Sequence, residues 1–324
     1  MAAVNRFYQQ WVSAPTFIRG ACTACGTHVT VESSVNFANS DVYSCSNCGA
    51  QAPRQRIIRQ SLANLDALTW SLFGSDLYIS DQLSLDPSDH AVYNMAALDQ
   101  VKWHHQEAYP TYDSGSRYVA QTVFLGVLGV VSLQDTARSM EGETETPPAE
   151  AQAAPEPVQV FWWRFGLQNR EAVPAWRQSL HGAATLVQTN PSAALVLIAS
   201  GFESFFIETM RIAWLEGQMD ASAFQRLNKR NLPISNLIEW LPATVDMPSL
   251  PSDNTLYERW KRLVNARRNS VVHRAVVHFT PDEAKESMLA ALECIEFIDA
   301  AALVRPHAFY NRPDAPPADY TPDE

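Results

Sequence analysis

Apolar positions change their period along this chain, and the changes divide it. Residues 16–59 carry short apolar pairs broken by Cys and Gly turns, the pattern of a small β-module. Ser61–Phe73 shows helical spacing, and Tyr118–Leu133 reads as strand. The run Val123–Leu133 is too short to cross a bilayer and holds two glycines, so it predicts a pair of buried strands and no membrane span. Val158–Phe165 reads as one more strand, which the middle of the chain could claim. From Val173 onward the spacing is helical.

The helical part resolves further. Asn190 is a good N-cap and Pro191 suits a first turn, so a long helix opens there, with Leu195, Ile198, Phe202, Phe205, Phe206 and Met210 along one stripe. Helical spacing continues in Ala221–Leu227 and Ile234–Leu241. A helix starting at Ser252 or Asp253 carries Leu256, Trp260, Leu263, Val264 and Val271. Pro281 starts a last helix running to about Val304, with Met288, Leu292, Ile295 and Ile298 on one face. The expectation is an all-α bundle of about five helices.

The predicted organisation is therefore multidomain. A Cys-rich module spans 1–60, a mixed α/β middle domain 61–138, a linker 139–157, a helical domain 158–310 and a tail 311–324. The linker reads SMEGETETPPAEAQAAPEP, with no aromatic residue and little to bury, and is expected to be an extended tether. The tail, NRPDAPPADYTPDE, carries the same expectation of disorder.

Composition adds constraint. The chain has 324 residues and a net charge of −11, which argues against a uniformly basic nucleic-acid coat. The charge is uneven: +3 over 1–60, −10 over 61–164, −1 over 165–210, +4 over 211–274 and −7 over 275–324. A local basic site on an acidic body remains open. The first residues, MAAVNRFYQQW, lack a basic region followed by an apolar stretch, so the expected location is the cytoplasm. Thiols there stay reduced and tend to bind metal.

Four of the five cysteines form two knuckles, Cys22-Thr-Ala-Cys25-Gly26 and Cys45-Ser-Asn-Cys48-Gly49. A two-residue spacer lets one tight turn aim two sulfurs at an ion, and the following Gly permits that turn without a Cβ clash. Two such turns on two hairpins make a zinc ribbon with a structural Zn²⁺ closed by four thiolates. A redox dithiol or a disulfide pair are the competing readings. Arg54, Arg56 and Arg59, expected on the strand after the second knuckle, could contact nucleic acid. His28 could replace a ligand but need not, and Cys294, set among Leu292, Ile295 and Ile298, reads as core. Trp103-His104-His105 has no spacing for metal.

The helix after Asp253 contains Asn265-Ala-Arg-Arg268-Asn269-Ser-Val-Val-His273-Arg274. At 100° per residue, Asn269 and His273 share a face about 240° round from Leu256, away from the apolar stripe, and Arg268 lies to one side. Arg and His at a helix end also simply complement free carbonyls. Arg268-Asn269-Ser-Val-Val-His273 resembles the signature of the HEPN superfamily: an Arg, a polar residue, and a His a few positions on. The resemblance covers roughly Val173–Val304.

What the resemblance implies is a metal-independent endoribonuclease with no cofactor for catalysis. It further implies a homodimer whose two motif copies face each other, an RNA substrate, and a toxin or antiviral effector with an antitoxin or sensor partner. His273 would act as general base or acid, Arg268 would stabilise phosphate charge, and Asn269 would orient the scissile group or the His. Glu203, Arg267 and Arg274 are supporting candidates, with an ion pair expected at Arg267. Arg259, Lys261 and Arg262 are candidates for guiding RNA. The alternative is a non-catalytic nucleic-acid-binding or adaptor protein.

Overall fold

The computed structural model describes residues 4–7, 17–22, 24–32, 42–86, 89–110, 118–125, 128–135, 157–169, 173–227, 233–275 and 278–303. The expected tether, Pro157 aside, and the expected disordered tail lie outside the described residues.

In chain order the elements are β1 (Val4–Phe7), β2 (Phe17–Ala21), β3 (His28–Glu32), β4 (Val42–Ser44), β5 (Gln51–Pro53), α1 (Arg54–Ala63) and α2 (Ala67–Phe73). Then come β6 (Leu77–Leu85), β7 (His90–Asn94), β8 (Lys102–Pro110), β9 (Tyr118–Leu125), β10 (Leu128–Asp135) and β11 (Val158–Leu167). Helices follow: α3 (Ala175–Leu186), α4 (Pro191–Leu215), α5 (Ala221–Leu227), α6 (Ile234–Thr244), α7 (Asn254–Trp260), a π-helical turn (Lys261–Asn265), α8 (Ala266–Arg274) and α9 (Pro281–Ile298). The molecule is thus mixed α/β, and it divides into two compact units.

One unit comprises Met1–Pro15 and Ser75–Asn169. It holds a four-stranded sheet, β1-β7-β10-β9, and a three-stranded sheet, β6-β11-β8. Among the described strands of this unit, only β1 with β7 is parallel. Alternate residues turn inward, so Leu77, Ile79 and Leu83 of β6, Tyr93 of β7, Val131 of β10 and Trp162 of β11 share one core. Val158–Phe165 is therefore the middle strand of a sheet here and not the start of the helical domain. The strands expected over Val123–Leu133 exist, but only one face is buried: Val131 is 0% exposed, Val123 56%. Arg164 is buried with its guanidinium 4.2 Å from the Trp103 ring centroid, and burial pushes its pKa down to about 10.

The other unit takes Thr16–Gly74 and Arg170–Glu324. Its core gathers Ile58 and Leu62 of α1, Trp70 and Phe73 of α2, Trp176 and Leu180 of α3, the α4 stripe and the inner face of α9. The helical spacing of Ser61–Phe73 is real, but its apolar face packs here and not in a middle domain; Phe73 meets Trp176 edge-on at 5.4 Å. This corrects the expected boundary at 61. The Asn190 side chain caps α4 by accepting from Ala193 N at 3.1 Å. α4 is long and apolar enough to cross a bilayer, and half of its most apolar stretch is buried in this unit. Glu203 and Glu208 interrupt its apolar run.

Candidate functional site

Two copies of one turn build the cysteine cluster, each on its own hairpin, β2–β3 and β4–β5. Gly26 N donates to Cys22 O at 2.9 Å, and Gly49 N to Cys45 O at 2.8 Å. Both glycines are left-handed, at φ 71° and 70°, a conformation costing other L-residues about 1–2 kcal/mol. The four sulfurs lie within 4.8 Å of one another, with Cys22–Cys48 at 3.6 Å and Cys25–Cys45 at 3.8 Å. Sulfurs held about 2.3 Å from one tetrahedral ion stand about 3.8 Å apart, whereas disulfide sulfurs stand about 2.0 Å apart. The set could therefore hold a metal ion. Hydrogen bonding with the Thr27 hydroxyl, and then with its backbone N–H, holds the Cys25 thiol down at about 6, while Cys48, despite hydrogen bonding with the Ala50 backbone, is pushed up to about 12 by the Cys25 sulfur and by burial.

The cluster does not stand alone. Cys22, Cys45, Ala52 and Ile57 form a small core, and Ile57 belongs to α1. Arg54, Arg56 and Arg59 therefore lie on a helix and not on the expected strand. Pro53 ends β5, and the chain turns helical directly after it. Arg59 pairs with Glu296 of α9 at 2.6 Å, which fixes the cysteine module's helix to the bundle.

The motif helix departs from the sequence-derived wheel for a local reason. Lys261–Asn265 is a π-helical turn. One extra residue in a turn sets everything after it back by about 100°. Arg268 and Asn269 are consequently half-buried against α4, lining a groove with Glu203, instead of Asn269 pointing clear of the bundle. His273 is exposed, and α8 has no buried residue. The three are brought together: Arg268 Nη1 donates to Asn269 Oδ1 at 3.0 Å and lies 3.5 Å from His273 Nε2. Asn269 Nδ2 donates to Asn265 Oδ1 at 3.3 Å. Burial raises the Glu203 carboxyl above its ordinary range, and the Arg268 charge partly offsets this.

The other candidates separate. Arg267 points to α9, donating to Glu283 O at 2.5 Å and Ser287 Oγ at 3.1 Å, with Glu286 paired at 2.8 Å. The expected ion pair is there, and the residue acts as a brace. Arg259 pairs with Glu293, and Lys261 with Glu258 while covering the Tyr257 ring. Of the three RNA-guiding candidates, Arg262 is exposed, as is Arg274. His273 and Arg274 stand in the last turn of α8, where they also complement its free carbonyls. His104 bonds Ser75 at 2.7 Å, and Cys294 is buried with its thiol pushed up by desolvation. Sequence reasoning passed over Asn265, Ser235 and Ile207, all on the groove. Asn265 had a signal, being one helical turn before Asn269.

Comparison with known proteins finds no family model, no curated protein and no solved structure that matches this chain.

Proposed function

We propose that this chain is a HEPN-type, metal-independent endoribonuclease with a structural zinc ribbon. The observation that carries the reading is the Arg268 guanidinium standing between Asn269 and His273 on a helix with no buried residue. Its remaining N–H donors can clamp a phosphate in bidentate fashion. In the reaction, the RNA 2′-oxygen attacks the adjacent phosphorus and gives its proton to an imidazole. The bond from phosphorus to the 5′-oxygen breaks, and an imidazolium returns a proton to that oxygen. A 2′,3′-cyclic phosphate and a 5′-hydroxyl result. Two motif helices facing each other in a homodimer would supply one His for each transfer. Zinc is the ion we assign to Cys22, Cys25, Cys45 and Cys48, because four thiolates in a closed tetrahedron suit it.

Purified protein is to be incubated with RNA, without added metal and with EDTA, beside His273→Ala. Wild type is expected to leave cyclic-phosphate ends and the variant to leave RNA intact. Cleavage by both, or dependence on added Mg²⁺, refutes the reading. One observation favours a second reading, an RNA- or protein-binding adaptor: Arg259 and Lys261 are held by acidic neighbours. RNA that stays whole while the protein binds a partner through α8 would support it. A toxin or defence role with an antitoxin or sensor partner, and a cytoplasmic location, belong to the same proposal.

A further inference from the structure

Beside Arg268 and Asn269 a groove of about 400 Å³ opens between α4, the start of α6 and the turn before α8. That volume lies within the range of small-molecule sites, about 300–1,000 Å³. Its lining divides by chemistry. Ile207, Pro233 and Ile234 offer apolar surface, and Ile207 is 49% exposed. Glu203, Ser235 and Asn265 offer polar atoms. A mainly polar groove with apolar side chains along one flank suits a flat heterocycle, covered on its face and hydrogen-bonded along its edge.

Glu203 sets which heterocycle. It is half-buried, and among the described residues no hydrogen bond or contact ion pair engages its carboxylate; Arg268 acts on it through space. An ionised carboxylate only accepts, and two parallel donors satisfy both oxygens. Of the four RNA bases, only guanine offers two neighbouring donors on one edge, N1–H and N2–H. Adenine and cytosine place a ring acceptor beside their amino group, and uracil flanks its N–H with two carbonyls. Each would set a lone pair against a carboxylate oxygen, leaving it unsatisfied in a half-buried site.

We propose that the groove receives a guanine base read by Glu203, while Arg268 holds the phosphate attached to that nucleoside. The phosphate assignment rests on the ribonuclease reading above; guanine recognition can be measured apart from it. Ser235 and Asn265 supply donors for the guanine carbonyl.

The test has a binding arm and a cleavage arm, both on the full chain. Guanosine 3′-monophosphate is titrated calorimetrically beside the inosine, adenosine, cytidine and uridine 3′-monophosphates. Guanosine is expected to bind tighter by roughly 5- to 150-fold, the range for one bidentate base contact. Glu203→Gln, unchanged in thermal melting, is expected to abolish the preference, and Glu203→Asp, which retracts the charge, to weaken it. Cleavage sites mapped on a mixed RNA are expected to share guanine at one fixed position, with inosine there slowing the cut by the same factor. Equal binding of the five nucleotides, or a preference that survives Glu203→Gln, overturns the inference. RNA cut without regard to guanine overturns it while leaving the ribonuclease reading intact. Guanosine selectivity with no cleavage upholds the groove and removes the ribonuclease.

Discussion

Arg267 and Arg268 are adjacent in sequence, and the structure gives them different work. Arg267→Ala removes the brace between α8 and α9. Its bond to the Glu283 carbonyl is charge-assisted, a class worth about 1.5–3 kcal/mol. The lower end applies, because the Ser287 hydroxyl lies 2.9 Å from that carbonyl and can turn its one proton to it once the arginine has gone. The Glu286 pair adds less than about 1 kcal/mol, since Glu286 is 59% exposed and screened. The expected loss is about 2 kcal/mol. For a unit of roughly 200 residues, that lowers the melting temperature by about 4–8 °C. Arg268→Ala touches no such brace; it faces the groove and should leave stability within about 0.5 kcal/mol. Thermal melts and RNA cleavage on both variants separate the roles. Arg267→Ala should be less stable yet active well below its melting point, and Arg268→Ala stable yet inactive. Equal melting shifts in the two variants, or full cleavage by Arg268→Ala, would refute the assignment.

Three further outcomes follow from the same geometry. Cys25→Ser should cut bound zinc per chain, read by atomic emission, and should lower the melting of the helical unit, because Ile57 joins the cysteine core to α1; undiminished metal content sinks the cluster assignment. Gly201→Ala should destabilise by roughly 1–2 kcal/mol in urea: a Cβ there would sit 2.9 Å from Leu180 Cγ, which is fully buried and cannot withdraw, and this outweighs the better helix propensity. Thr280 and Glu283 form a capping box at the start of α9, and hydrogen bonding from the Thr280 backbone holds the Glu283 carboxyl below its ordinary range. A depressed carboxylate stabilises above its unfolded pKa and loses that contribution as pH falls through the folded value; melts of wild type and Glu283→Gln should therefore converge in acid, and a gap independent of pH would contradict this.

Much of this was legible in the residues, and the reason is locality. A cap, a Pro at a first turn, a Cys-x-x-Cys-Gly knuckle and a 3.6-residue stripe are each decided within a few positions. Asn190, Pro191, the two knuckles and the α4 stripe therefore stand where the sequence pattern put them. What escaped is decided by distant partners. Helical spacing over Ser61–Phe73 says that a face will be buried, but not that Trp176, more than a hundred residues on, will bury it. Val158–Leu167 is apolar enough to be a strand, but only pairing with β6 and β8 assigns it to a sheet.

The site shows the same division at finer scale. Arg268, Asn269 and His273 were found by spacing, and His273 is exposed as the wheel has it, yet a uniform 100° step misdirected Asn269, because the π-turn at Lys261–Asn265 has no local sequence signal. It is stabilised from outside: the buried Ser287 hydroxyl donates to Leu263 O, inside the turn, at 2.7 Å. Arg267 bonds that same hydroxyl and the carbonyl one turn before it. The direction in which the motif faces is thus set by α9, some twenty residues further along the chain. A helix wheel could choose between the two neighbouring arginines only by assuming an ideal helix, and the departure from that ideal is what turns Arg268 toward Glu203 and opens a groove between them.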